Sequence, residues 1–210
     1  MKILIACEFS GTVRDAFTAR GHNATSCDFL PTEKPGKHYT GDVRDILAGD
    51  WDLMIAHPSC RFLALSASRW MHDHWIKRKN KPNKWHVSFE HRKGRKKALE
   101  FFRLLLEAPI PRKCIENPMS IASRWIEKRT QEIHPWQFGH GERKTTWLWL
   151  RNLPHLKPTQ IVDGREQRIW KASPGANRWK ERSRTFPGIA EAMAEQWGNL
   201  PTQTRKETKK

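Results

Sequence analysis

The sequence predicts an α/β fold: a mostly parallel sheet, doubly wound, with helices on both faces. Short apolar runs alternate with stretches of helical periodicity, the rhythm of right-handed βαβ crossovers. The runs stop at residues with chemistry of their own (Cys7, Asp28, Pro58, Glu116), as expected where parallel strands open onto a ligand-binding edge. A length of 210 residues suits one domain of ordinary size.

Residues 2–7 form a short apolar strand, too short and too lightly flanked for a secretory leader. A turn over Glu8-Phe9-Ser10-Gly11 leads into a helix at 12–20. Gly21 closes it, as glycine does in the left-handed position after a helix end. Residues 23–27 are a second strand, ending at Asp28. A Pro- and Lys-rich loop then reaches Gly41-Asp42-Val43 and a short helix, and 52–56 is the next strand, ending at Pro58.

Residues 72–97 break the rhythm. They hold ten Lys and Arg residues, four histidines, Trp75 and Trp85, with no apolar periodicity, which predicts a basic insert loop or a solvated helix. An amphipathic helix follows at 95–107, its apolar face made by Ala98, Leu99, Phe102, Leu105 and Leu106. Pro109-Ile110-Pro111 stops it. Residues 113–115 are a strand leading into Glu116, and 145–150 another. The chain is Pro-rich and irregular over 151–180 and helical over 187–197. The expected organisation is a catalytic domain at 1–150, a small irregular C-terminal region at 151–201 packed on it, and a disordered polar tail at 202–210.

Lys and Arg number 39 against 22 Asp and Glu, a formal net charge of +17. That surplus costs self-repulsion in the compact state and points to a polyanion partner, with a merely solvated basic surface as the bland alternative. No long apolar span or lipidation signal suggests a membrane. Cys7, Cys27, Cys60 and Cys114 are far apart with no C-x-x-C pair, which predicts neither a metal site nor a disulfide framework and suits a reducing cytosol. Eleven tryptophans against one tyrosine is an unusual ratio. Trp70, Trp75, Trp85, Trp125, Trp170 and Trp179 stand among basic residues, where indoles can stack on bases, although most tryptophans are expected in the core.

Several residues carry candidate chemistry. Asp28, at a strand end, stands where an acid meets ribose hydroxyls in nucleoside sites. The turn ending at Gly11 lets backbone approach a ligand. Asp42 either contacts an adenine amino group or caps the short helix after it. Methylating C5 of a pyrimidine requires an electron-rich ring. A thiolate adding at C6 provides that, and an acid near N3 stabilises the charge that develops. Cys60 and Glu116 have this chemistry at two strand ends. Their bland readings are a buried inert cysteine and a capping carboxylate.

Taken in order, these residues resemble DNA cytosine-5 methyltransferases, in particular short, phage-type members. Glu8-Phe9-Ser10-Gly11 is similar to the first cofactor motif, Asp28 to the acid after the second strand, and Gly41-Asp42-Val43 to the third motif. His57-Pro58-Ser59-Cys60 resembles the Pro-Pro-Cys nucleophile motif, and Glu116-Asn117-Pro118 the Glu-Asn-Val motif. The resemblance spans residues 1–118. It implies a Rossmann-like sheet of the S-adenosylmethionine-dependent type, with Phe9, Ser10, Gly11, Asp28, Asp42 and Pro58 at the cofactor. It also implies a flipped-out cytosine as acceptor, Cys60 as nucleophile and Glu116 as its partner at N3 and N4. Glu142-Arg143-Lys144 faintly resembles the Gln-x-Arg-x-Arg motif and makes Arg143 a catalytic candidate. Gly198-Asn199-Leu200-Pro201 echoes the last cofactor motif, after a helix rather than before one.

The chain departs from the family at Val13, Ser59, Arg61 and Pro118, and has no room for a large target-recognition domain. The basic insert stands where the family carries its mobile catalytic loop. There Lys77, Arg78, Lys79, Lys81, Lys84, Arg92 and Lys93 would contact phosphates of double-stranded DNA. The expected setting is the cytoplasm of a bacterium or phage-infected cell. The alternatives are a catalytically inactive nucleic-acid-binding protein of the same fold, and a related enzyme modifying RNA or another base.

Overall fold

A computed structural model describes residues 1–77, 79–168, 175 and 178–201. The fold is α/β, built on a seven-stranded, mostly parallel mixed sheet. In chain order come β1 (Lys2–Ala6), α1 (Thr12–Thr18), β2 (Asn23–Asp28), β3 (His38–Thr40) and β4 (Leu53–Ala56). Next are the hairpin strands β5 (His74–Ile76) and β6 (Lys84–His86), then α2 (Phe89–Glu107) and β7 (Arg112–Pro118). The chain continues with α3 (Ala122–Trp125), β8 (Gln131–Ile133), β9 (Thr146–Arg151), α4 (Arg178–Ser183) and α5 (Pro187–Gly198).

The sheet order is β3-β2-β1-β4-β7-β9-β8. β1 pairs in parallel with β2 and β4, β2 with β3, and β4 with β7. β9 runs against both of its neighbours, β7 and β8. From β1 the chain lays strands outward one way through β2 and β3, then crosses back to lay β4 and β7 on the other side. The carboxyl ends of β1 and β4 therefore flank a topological switch point, the crevice where open α/β sheets bind ligands.

The central strands are apolar throughout because both faces are covered. Ile3 and Ile5 point to one face and pack with Val13 and Phe17 of α1 and Ile189, Met193 and Trp197 of α5. Leu4 and Ala6 point to the other, with Met54, Ala56, Phe102, Leu105, Leu106 and Trp149. The tryptophans divide more evenly than expected. Trp147, Trp149 and Trp197 are buried, whereas Trp75, Trp85, Trp125 and Trp179 are exposed, and Trp170 lies outside the described residues.

The basic insert differs most from its expectation. Where a loop is expected it forms an antiparallel hairpin, β5 against β6, and only its last part, the first turns of α2, is a solvated helix. Its cross-strand pairs are His74 with His86 and Trp75 with Trp85, the two indoles 5.2 Å apart edge to face. Aromatic pairs of this kind stabilise a hairpin whose strands hold one aliphatic residue, Ile76, so hydropathy alone shows no strand there. α2 starts at Phe89, six residues before the expected 95. Its first turns are polar because they face solvent, and Asp73 anchors them by accepting from the Ser88 N–H and hydroxyl at 2.7 and 2.6 Å. Strands β3 and β8 and the short helix α3 lie in stretches that the sequence pattern leaves as loop. The tail at 202–210 lies outside the described residues.

Candidate active site

The loop after β1 is held by two buried charges. Glu8 accepts hydrogen bonds from the Val13 and Arg14 N–H groups at 2.7 and 3.2 Å. It thereby supplies the carboxylate that the first turn of α1 needs, since Gly11 at the N-cap has no side chain. Ser10 donates to Glu8 at 3.2 Å. Gly11 has φ 72°, a left-handed conformation, and a Cβ there would sit 2.4 Å from an Arg14 nitrogen. The Arg14 guanidinium, 1 % exposed, bonds Asp15, the hydroxyls of Ser26 and Thr32, and the carbonyls of Lys34 and Pro35. One side chain thus fixes α1, β2 and the segment leading to β3 together. Phe9 is buried, with its ring 5.9 Å from that of Trp179.

Asp28 ends β2 and accepts from the Leu30 N–H at 2.9 Å through Oδ1. No hydrogen bond or ion pair engages its Oδ2 among the described residues, which suits a hydroxyl-bearing ligand. Asp42 is already occupied: Oδ1 accepts from the Arg44 N–H at 3.0 Å and Oδ2 from the Arg44 guanidinium at 2.7 Å. It caps the 3-10 helix Val43–Asp45. Both acids face the thiols at the ends of β1 and β2. Burial raises Cys7 and pushes Cys27 up to about 12, and the charges of Asp28 and Asp42 add to both effects. This corner of the sheet edge is therefore acidic, and its two thiols stay protonated.

Adjacent parallel strands bring Cys60 and Glu116 to the same edge. With Ala56 opposite Ile115, the next residues along, His57 and Glu116, meet: His57 Nδ1 lies 3.0 Å from Glu116 Oε2. Asn117 donates to the carbonyl of buried Pro58 at 2.8 Å and so ties the two strand ends. Two buried polar atoms here have no partner among the described residues, His57 Nε2 and Asn117 Oδ1.

Cys60 is exposed, but its surroundings still desolvate it. Desolvation first, and the Glu116 charge second, raise the thiol, while Lys144, Arg182 and a backbone hydrogen bond pull it down. At neutral pH it rests as a thiol. Burial alone would raise Glu116. The His57 hydrogen bond, the Lys144 charge and the His57 charge outweigh it and hold the carboxyl below the usual range. Glu116 is therefore ionised at neutral pH.

Sequence reasoning misses His57, Lys144 and Arg182, and it marks Trp179 only as one of the indoles able to stack on bases. His57 stands in the quoted motif, yet only strand register shows its partner. Lys144 adjoins Arg143, which is exposed and hydrogen-bonded through its backbone N–H to Glu166 O at 2.8 Å. Lys144 bonds the carbonyls of Arg182 and Arg184 at 3.1 and 3.5 Å and so draws α4 to this edge.

Among the expected nucleic-acid contacts, Lys77, Lys79, Lys81 and Lys84 are exposed on the hairpin and Lys93 on α2. Arg92 is engaged locally, with Asp73, Ser88 and the Met71 carbonyl, and Arg78 lies outside the described residues. Among the described residues no group of three or more His, Cys, Asp or Glu is placed to hold a metal ion, and no helix is long and apolar enough to cross a membrane. All four cysteines are free. No protein-family model matches the chain, and no curated protein matches it either.

Proposed function

We propose that the protein is a DNA cytosine-5 methyltransferase with a Rossmann-like sheet. The observation that carries this reading is an exposed thiol and an ionised carboxylate brought by adjacent parallel strands to one sheet edge, close enough for the Glu116 charge to act on Cys60, beside a topological switch point with an acid oxygen on Asp28 that has no partner among the described residues. S-adenosylmethionine, when bound, supplies an electrophilic methyl group. Phe9, Ser10, Gly11 and Asp28 are the residues that would hold it. Asp42 fits less well, since Arg44 already occupies both of its oxygens.

The chain's own residues do the rest. Cys60, exposed to solvent, gives up its proton to water and adds Sγ to C6 of the target ring. As that bond forms, the C5–C6 π electrons move to C5 and make it the nucleophile. Glu116, ionised at rest, accepts from the N4 amino group as a carboxylate and stabilises charge at N3 only once it has itself taken up a proton, and His57 holds it in place for this. After methylation, loss of the C5 proton to a base and departure of the thiolate restore the double bond and the free Cys60. Because Cys60 rests as a thiol, its proton must leave as the substrate arrives. Lys144 and Arg182 both favour that step. The surplus of cations, exposed on the hairpin, supports a nucleic-acid acceptor.

The test is mass spectrometry of nucleosides from duplex DNA and from RNA incubated with labelled cofactor. We expect methyl on C5 of deoxycytidine. Cys60→Ala should lower the rate by roughly three orders of magnitude or more while cofactor affinity, measured by calorimetry, stays the same. Methyl on an exocyclic amine, or full activity in the Ala variant, would sink the mechanism. Absence of cofactor binding would favour a nucleic-acid-binding protein without turnover.

A further inference from the structure

A cleft of about 430 Å³ opens beside the two loops that carry Cys60 and Glu116. Ala64 bridges Ser120, the Leu65 N–H donates to the Met119 carbonyl at 2.8 Å, and the Ile121 N–H to the Leu63 carbonyl at 2.8 Å. The segments following the two residues are thus laced together along its rim. The side chains that matter in it are Ser68, Arg95, Ser120, Ser123, Arg124 and Trp125, and none of its lining residues is acidic.

The hydroxyls are used in one direction only. Ser68 accepts from the Arg95 guanidinium at 3.4 Å, Ser120 from the Ala122 N–H at 3.2 Å and Ser123 from the Arg129 N–H at 3.2 Å. Each hydroxyl therefore meets the protein as an acceptor and keeps its own proton to donate. Arg124 is exposed and makes no ion pair among the described residues. Trp125, beside it, is 65 % exposed, far more than an indole placed for packing. The cleft is therefore rich in donors and carries a free aromatic face. Its complement is an acceptor-rich anion joined to a flat ring.

We propose that this cleft holds a nucleotide flanking the target base, with its phosphate on Arg124 and the half-buried Ser68 and Ser123 hydroxyls and its base stacked on Trp125. The proposal rests on the nucleic-acid acceptor of the preceding section and adds where the strand runs beside the reactive thiol. A phosphodiester offers the oxygens that these donors lack, and stacking on an indole tolerates any base. The cleft would thus grip the strand without reading its sequence.

The test is fluorescence anisotropy of a fluorescein-labelled 12-mer, as single-stranded DNA, RNA of the same sequence and duplex DNA, across a salt series. Arg124→Ala should weaken binding about tenfold and lower the log–log salt slope by about one. Trp125→Ala should weaken it about tenfold with the slope unchanged, and Trp125→Phe should restore most of that loss. Both residues are exposed, so the variants should fold, and cofactor affinity measured by calorimetry should not move. If the wild type binds and both Ala variants match it in affinity and slope, the cleft assignment falls while the acceptor reading stands. If the wild type binds none of the three probes, the acceptor reading itself falls.

Discussion

The loop after β1 and the loops after β4 and β7 share one edge of the sheet but are built in opposite ways. After β1, the side chains of Glu8, Ser10 and Arg14 all find protein partners. After β4 and β7, His57 Nε2 and Asn117 Oδ1 are buried without one among the described residues, and Cys60 is open to solvent. A saturated network keeps its shape before any ligand arrives. A site with unpaired buried atoms costs stability until something completes it, and such costs gather where function is. One side of the crevice is saturated with internal bonds and the other is left open.

Substitutions can break that contrast, and the largest effect belongs to the scaffold. Arg14→Ala leaves two hydroxyls and two carbonyls without their donor. It should cost on the order of 4 kcal/mol, read as a lower urea midpoint at unchanged slope. A loss below about 1 kcal/mol would show that the network is ornamental.

His57→Ala comes next, at about 3 kcal/mol at neutral pH, because it strands an ionised and largely buried Glu116. The Glu116 pKa is depressed in the folded state. The stability it contributes is therefore present above the ordinary glutamate value of about 4.3 and lost as pH falls through the folded value. The gap between wild type and variant should narrow over that acid range. A gap that stays constant down to pH 3 would mean that the pair is not ionic.

Glu8→Ala removes the cap from the first turn of α1 and should cost about 1–2 kcal/mol. Smallest of all is Cys60→Ala, within about 0.5 kcal/mol for an exposed side chain. A variant that loses turnover yet melts like wild type would put the contrast at its sharpest.

What the sequence makes legible follows from the same physics. β1 and β4 are buried on both faces, so they stand out as apolar runs, and the residues ending them follow directly. β3 and β8 lie at the two edges of the sheet and are three residues long, too short for a periodicity to emerge. In the hairpin, the strand pairs are Trp and His set among lysines, and composition masks them. Cys60 and Glu116 are visible because each follows an apolar run, although β7 continues through Glu116 to Pro118 and Cys60 lies four residues past the end of β4. The contact between His57 and Glu116 is not, since it depends on register across 59 residues of chain. Arg14 is hidden for another reason: a charged residue on a short helix is expected in solvent, and only the segment wrapped over it buries it.

The six-residue helix α4 reaches both sides of the crevice at once. Trp179 leans on Phe9, while the charge of Arg182 is felt at Cys60. A molecule that takes the place of Trp179 on Phe9 must shift Arg182 as well, since one rigid turn carries both. Arg184, just past the helix, is clamped to Glu33 by two hydrogen bonds of 3.0 and 2.7 Å, which limits how far the turn can travel. What occupies the far side of the crevice thus bears on the electrostatic field at the Cys60 thiol.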